Sequence, residues 1–105
     1  MSGQASVRSD ISAITLADRC EVTTSDVHGL STGNMIRITG LNGMMPVDRG
    51  FPQINNSRYQ VQVKSTTTFQ LRDPITKEYI DSTGYTPYVE GGNVTLFQTN
   101  FIYEA

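Results

Sequence analysis

Three residue types in this chain could do chemistry: a single histidine, His28, a single cysteine, Cys20, and ten carboxylates. A hydrolytic triad would have to use His28 as its base. That histidine stands immediately before Gly29, where a ring nitrogen bonds the local main chain, so a structural ring is expected. Cys20 opens the alternating stretch Cys20-Glu21-Val22-Thr23-Thr24, with no neighbouring base or cationic cluster to favour its thiolate. It is expected to be a small buried hydrophobe, and alone it cannot form an internal disulfide. Asp10, Asp18, Glu21, Asp26, Asp48, Asp73, Glu78, Asp81, Glu90 and Glu104 are spread along the chain, and nothing in their spacing brings two together as an acid and a base. One histidine and one cysteine do not make a zinc site. Ser31-Thr32-Gly33-Asn34 lacks the lysine and following helix of a phosphate-binding loop. The sequence therefore predicts no catalytic residue, no metal, no cofactor and no enzyme activity.

Recognition is the remaining kind of work. Tyr85 and Tyr88, beside Gly91-Gly92, could stack on sugar rings if both were exposed, or could hold the fold, in which case at least one is buried. The stretch from Leu41 to Pro52 is punctuated by glycine and proline and expected to be a loop, yet it carries Met44, Met45, Val47 and Phe51. These four either fold back as a lid on the end of the domain or form a patch that docks a partner. Phe101, Ile102 and Tyr103 pose the same choice at the other end of the chain: one more strand, or contact with a neighbouring subunit.

Charge narrows the partners. The net charge is −2 and the eight Lys and Arg are scattered, which argues against nucleic acid as a partner. No apolar run approaches the ~20 residues of a membrane helix, and Met1-Ser2-Gly3-Gln4-Ala5-Ser6 lacks a basic region followed by an apolar stretch. A membrane is not expected as a partner, and synthesis in a cytoplasm is. Charged residues make up 17% of the chain, below the ~25% of ordinary soluble domains. A neutral, hydrogen-bonding surface is inexpensive to desolvate and suits contact with copies of itself.

The elements that would position these residues are strands. His28-Gly29-Leu30-Ser31-Thr32-Gly33-Asn34 is a turn in which Gly29 and Gly33 take positive φ and the polar residues bond back to the main chain. From it runs Met35-Ile36-Arg37-Ile38-Thr39, with Ile36 and Ile38 on one face and Arg37 and Thr39 on the other. Residues 58–64 and 68–72 alternate on either side of the polar turn Ser65-Thr66-Thr67, a hairpin with Tyr59, Val61, Val63, Phe69 and Leu71 facing inward. Residues 11–17 are expected as a first strand with Ile14 and Leu16 on one face. Cys20 to Thr24 forms a second strand with Cys20 and Val22 inside. Residues 74–80 make an excursion, 81–92 a turn region, and 93–97 a closing strand. No helix pattern is present. The prediction is an all-β fold, a small antiparallel β-barrel or sandwich with extended terminal arms. Residues 1–10 read as a flexible N-terminal arm, 11–97 as the β-barrel domain, and 98–105 as a C-terminal segment.

Taken together, Asp26-Val27-His28-Gly29-Leu30-Ser31-Thr32-Gly33-Asn34-Met35-Ile36-Arg37-Ile38-Thr39-Gly40, Leu41-Asn42-Gly43-Met44, Tyr59-Gln60-Val61, Thr67-Thr68-Phe69-Gln70-Leu71, Asp81-Ser82-Thr83-Gly84-Tyr85 and Gly91-Gly92-Asn93-Val94 resemble one recurring module over about residues 20 to 97. It is the β domain named after the first catalytic-cysteine half-domain (FCCH) of ubiquitin-activating enzymes, which also occurs in bacteriophage structural proteins. In the enzymes this half-domain is a scaffold and the thioester cysteine lies elsewhere, so the resemblance implies no catalysis at Cys20. It implies a virion structural protein made in a bacterial host. Its partners would be other copies of itself and other virion proteins, in the tail or neck or on the capsid as a decoration. Contact would run through strand edges, the termini and the candidate residues Met44, Met45, Val47, Phe51, Phe101, Ile102 and Tyr103. A receptor- or carbohydrate-binding module of a tail appendage, using Tyr85 and Tyr88, is the other expectation.

Overall fold

A computed structural model of the chain describes residues 8–47 and 53–97. Six strands, β1 (Arg8–Ile14), β2 (Glu21–Thr24), β3 (Met35–Gly43), β4 (Ser57–Val63), β5 (Thr68–Arg72) and β6 (Tyr88–Phe97), close into an antiparallel barrel in the order β1-β2-β5-β4-β3-β6. Each strand thus has two hydrogen-bonded neighbours. Among the described residues, closure gives every strand two neighbours over part of its length, while residues 39–43 of β3 pair only with β6.

The hairpin of β4 and β5 forms as its alternation predicts, pairing Val61 with Leu71 and Val63 with Phe69. Tyr59, Val61, Phe69 and Leu71 are buried, and Val63 packs against them from the rim. Cys20 and Val22 face the same interior from the β2 side. Gly29 and Gly33 have φ of 69° and 98°. Asn34 Oδ1 accepts the Ser31 N–H at 2.9 Å, and Thr32 Oγ1 accepts the Val63 N–H at 3.0 Å, so the turn before β3 is tied to itself and to β4.

Both ends of β1 and the end of β3 differ most from the sequence reading, and β6 begins at Tyr88, inside the stretch expected as a turn region. β1 takes in Arg8 to Asp10, which that reading placed in the arm, through pairing with β6. A register shift between Ile11 and Ala13 then changes the phase of β1, so that Ile11 and Ile14 both point inward. Pairing with β2 stops at Ile14, and Leu16 is 41% exposed instead of sharing the buried face of Ile14.

The third difference is the largest. β3 does not end at Thr39 but pairs with β6 as far as Gly43↔Tyr88, and hydrogen bonds carry the ladder on through residues 43–47 and 84–88. Met44 N–H donates to Pro87 O (3.3 Å), Thr86 N–H to Met45 O (2.9 Å) and Val47 N–H to Gly84 O (3.0 Å). The glycines expected to forbid regular structure instead permit it: Gly43, at φ 94°, lies where a Cβ would come 2.4 Å from Pro87 O. Only a residue without a Cβ lets the two chains approach this closely.

Candidate functional site

The interior consumes the two side chains that chemistry would most need. His28 is buried, its Nε2 2.8 Å from Ser65 O and its Nδ1 accepting the Leu30 N–H at 2.9 Å. An acceptor at Nδ1 and a carbonyl facing Nε2 define the neutral tautomer that carries its proton on Nε2. The ring meets Phe69 edge-on at 5.5 Å. Both nitrogens serve the main chain, and neither is placed to serve a nucleophile.

Cys20 is wholly buried. Burial pushes its thiol from 9.0 up to about 11, against a smaller opposing effect of its hydrogen bond with Ser82. A thiol so placed is inert at neutral pH. Ser82 is itself fully buried, its hydroxyl donating to Thr15 O at 2.7 Å and accepting the Ala17 N–H at 3.0 Å. It clamps the segment after β1, which explains why Leu16 leaves the barrel there. Nothing in the polar run Asp81-Ser82-Thr83 marked Ser82 as a core residue.

The candidate contact residues divide. Met44 is 1% exposed and belongs to the core, which corrects its place in a docking patch. Its φ of 54° is unusual for a long side chain, and the apolar area it buries offsets that cost. Met45 and Val47 are 52% and 69% exposed, on the continued ladder of β3. Val89, across the same ladder at 63%, joins them, although the turn-rich sequence around it did not suggest a surface strand. Phe51, Phe101, Ile102 and Tyr103 lie outside the described residues.

The two tyrosines cannot form a pair of stacking platforms. Tyr85 is buried in the core, with its phenol raised above the usual value by burial. Tyr88 is half-buried, and its hydroxyl sits between the carbonyl oxygens of Ile11 (3.1 Å) and Gly91 (2.9 Å). Through Ile11 O the Tyr88 hydroxyl ties β6 to β1.

Two surface depressions lie on either side of the excursion after β5. One, of about 400 Å³, is lined by Asp73, Glu78, Tyr79, Asp81 and Tyr85 among others. The Asp73 carboxylate accepts the N–H groups of Thr76 and Ile75, and the Asp81 carboxylate accepts the hydroxyl and N–H of Thr83. These bonds hold both acids below the usual carboxylate value. Arg19 and Arg72 rest over the Tyr79 ring at 4.2 and 5.0 Å. The other depression, of about 520 Å³, is lined by Met35, Arg37, Asn56, Ser57, Arg58, Pro74 and Ile75. Sequence alone did not single out Arg37, Arg58 or Ile75, because only the register of β3 and β4 brings them together. Among the described residues, no group of three His, Cys, Asp or Glu is placed to hold a metal ion.

The family model of the ubiquitin-activating enzyme E1 FCCH domain matches residues 18–98. No curated protein matches the chain.

Proposed function

We propose that this chain, which belongs to the family of the ubiquitin-activating enzyme E1 FCCH domain, is a non-enzymatic structural protein of a bacteriophage virion. It is present there in several copies, in the tail or neck or as a decoration of the capsid. The FCCH domain is a structural β module and not itself catalytic. What carries the reading is where this chain spends its residues. His28, Cys20 and Ser82 are committed to the inside of a closed barrel, while Met45, Val47 and Val89 are held in solvent on one rigid ladder. Apolar side chains displayed on a hydrogen-bonded frame lose little entropy on docking, which suits a protein that works by contact area. In a barrel whose described strands each have two neighbours, contact through these side chains suits the wall better than β-augmentation.

Quantitative mass spectrometry of purified virions tests the proposal. Wild-type chain is expected at a fixed number of copies per particle. A double variant, Met45→Ser with Val47→Ser, should be depleted from particles while melting within a few degrees of wild type, since both side chains are exposed. Wild-type chain missing from intact particles overturns the proposal.

A further inference from the structure

One apolar surface stands apart from the ladder of Met45, Val47 and Val89. It is the depression of about 520 Å³ that Met35 and Arg37 line from β3, the first residues of β4 from beside them, and Pro74 and Ile75 from the turn after β5. Met35 and Pro74 are half-buried, and Ile75 is 88% exposed, more than any other large apolar residue described. Ile75 is nonetheless held firmly: its N–H donates to Asp73 Oδ1 at 2.8 Å, Lys77 N–H donates to Asp73 O at 2.9 Å, and Asp73 N–H donates to Glu78 O at 2.7 Å. An apolar side chain fixed in water beside a methionine and a proline is a seat for other apolar groups, and its rigid frame lowers the entropy cost of contact.

The chain delivers such groups to the rim of this depression. β6 pairs with β3 as far as Phe97↔Met35, and Met35 lines the depression, so the residues that follow Phe97 leave the barrel beside it. β3 carries the ladder no further, because Asn34 belongs to the preceding turn, its N–H donating to Ser31 O at 3.0 Å. Next in sequence come three polar residues, Gln98-Thr99-Asn100, and then Phe101-Ile102-Tyr103. From β6 across β3 to β4 is two strand spacings, about 10 Å, and the step from Phe97 to Phe101 spans up to about 13 Å. In an extended segment Phe101 and Tyr103 share one face. Residues 1–7 are poorly matched to the same seat: β1 lies on the far side of β6 from β3, and Met1 and Val7 are their only large apolar residues.

We infer that residues 98–103 turn back across the start of β3 and cover this depression on the same chain. Phe101 and Tyr103 seat against Met35, Pro74 and Ile75, with an aromatic ring stacked on the Arg37 guanidinium. Phe101, Ile102 and Tyr103 then serve neither as one more strand nor as contacts with a neighbouring subunit, the two roles their sequence suggests. Outward contact is left to Met45, Val47 and Val89, at the other end of the ladder between β3 and β6. The latch is independent of the virion reading, since it holds or fails in the isolated chain whatever particle the chain belongs to.

Limited proteolysis of the full chain by chymotrypsin, which cuts after aromatic residues, tests the latch, with mass spectrometry reading the cuts after Phe101 and Tyr103. Cleavage follows the population in which the segment is undocked. Ile75→Asp should speed these cuts by at least about tenfold, the effect of removing ~1.4 kcal/mol of docking. It should melt within a few degrees of wild type, because Ile75 is exposed. Val89→Asp, at an exposed apolar residue on the other end of the ladder, should leave the cuts unchanged. Wild-type rate constants should also stay the same over roughly a hundredfold dilution, as for an intramolecular contact. From the other side, Phe101→Ser with Tyr103→Ser should raise several-fold the relaxation that a soluble nitroxide imposes on the Ile75 methyl resonance, with the resonances of the buried Ile36, Ile38 and Ile54 unmoved. Equal cleavage of wild type and Ile75→Asp, or equal acceleration by Val89→Asp, overturns the inference. So does an Ile75 methyl as open to nitroxide in wild type as in the serine variant, or a serine variant whose core resonances shift, which would place the segment in the core. Protection that fades on dilution overturns it as well, and would assign the seat to the same segment of a second copy.

Discussion

Replacing His28 by phenylalanine tests whether the one histidine is a strut. The variant keeps a ring of similar size beside Phe69 and removes both nitrogens. The Leu30 N–H, on a residue only 8% exposed, then loses its acceptor, 2.9 Å away in the wild type. A buried donor left unpaired costs about 1–3 kcal/mol. Ser65 O, now 2.8 Å from Nε2, sits on an exposed residue where water can replace the ring, so its loss is about 0.5–1.5 kcal/mol. The total of about 1.5–4.5 kcal/mol corresponds to a fall in melting temperature of roughly 6–36 °C, taking ~4–8 °C per kcal/mol for a domain of this size. Circular dichroism melts of the two proteins provide the measurement. His28→Phe melting within about 3 °C of wild type would show that the ring nitrogens do not hold the turn, and would reopen a role for them elsewhere.

The close approach at Gly43 and the buried thiol give further tests. Gly43→Ala should lower stability by more than about 3 kcal/mol, because positive φ costs about 1–3 kcal/mol and the new methyl also meets main-chain atoms at 2.4 and 2.7 Å. Gly33→Ala, at φ 98° with nothing within 4 Å, should show the φ cost alone; equal losses in the two chemical denaturation curves would deny the close approach at Gly43. Cys20 should react with a thiol reagent at pH 8 only as fast as the protein unfolds, and labelling of the native protein at the denatured rate would contradict its burial. Its raised thiol also sets a sign for alkaline pH. The unfolded thiol ionises at 9.0 while the folded one holds its proton to about 11. Its contribution is fully present below pH 9.0 and is lost as pH rises through that interval, and Cys20→Ala should flatten this part of the stability profile.

Where the fold depends on local alternation, the sequence was enough. Tyr59, Val61, Phe69 and Leu71 could be assigned to the core because a period of two over a hairpin admits only one inward face. His28 could be read as structural from the glycine that follows it. The misread residues are those whose place is decided by a distant strand. Alternation alone places Leu16 inside, because the shift between Ile11 and Ala13 is set by pairing with β2 and is invisible in β1 by itself. Glycine as a local breaker makes Leu41 to Gly43 look like a loop, whereas pairing with β6 uses Gly43 for close approach. Met44 left the docking patch for the core at a φ that its residue type does not suggest. The candidate surfaces are legible in part: Met45 and Val47 as apolar residues in a stretch punctuated by glycine and proline, but not Val89, nor the opposition of Arg37 and Arg58, which exists only once β3 and β4 are in register.

Cryo-electron microscopy of virions purified from the source of this chain tests the central claim most directly. Density for this barrel is expected in several symmetry-related copies, as a ring in the tail or neck or as a lattice on the capsid, with Met45, Val47 and Val89 at a contact. Intact particles without that density would contradict the virion assignment.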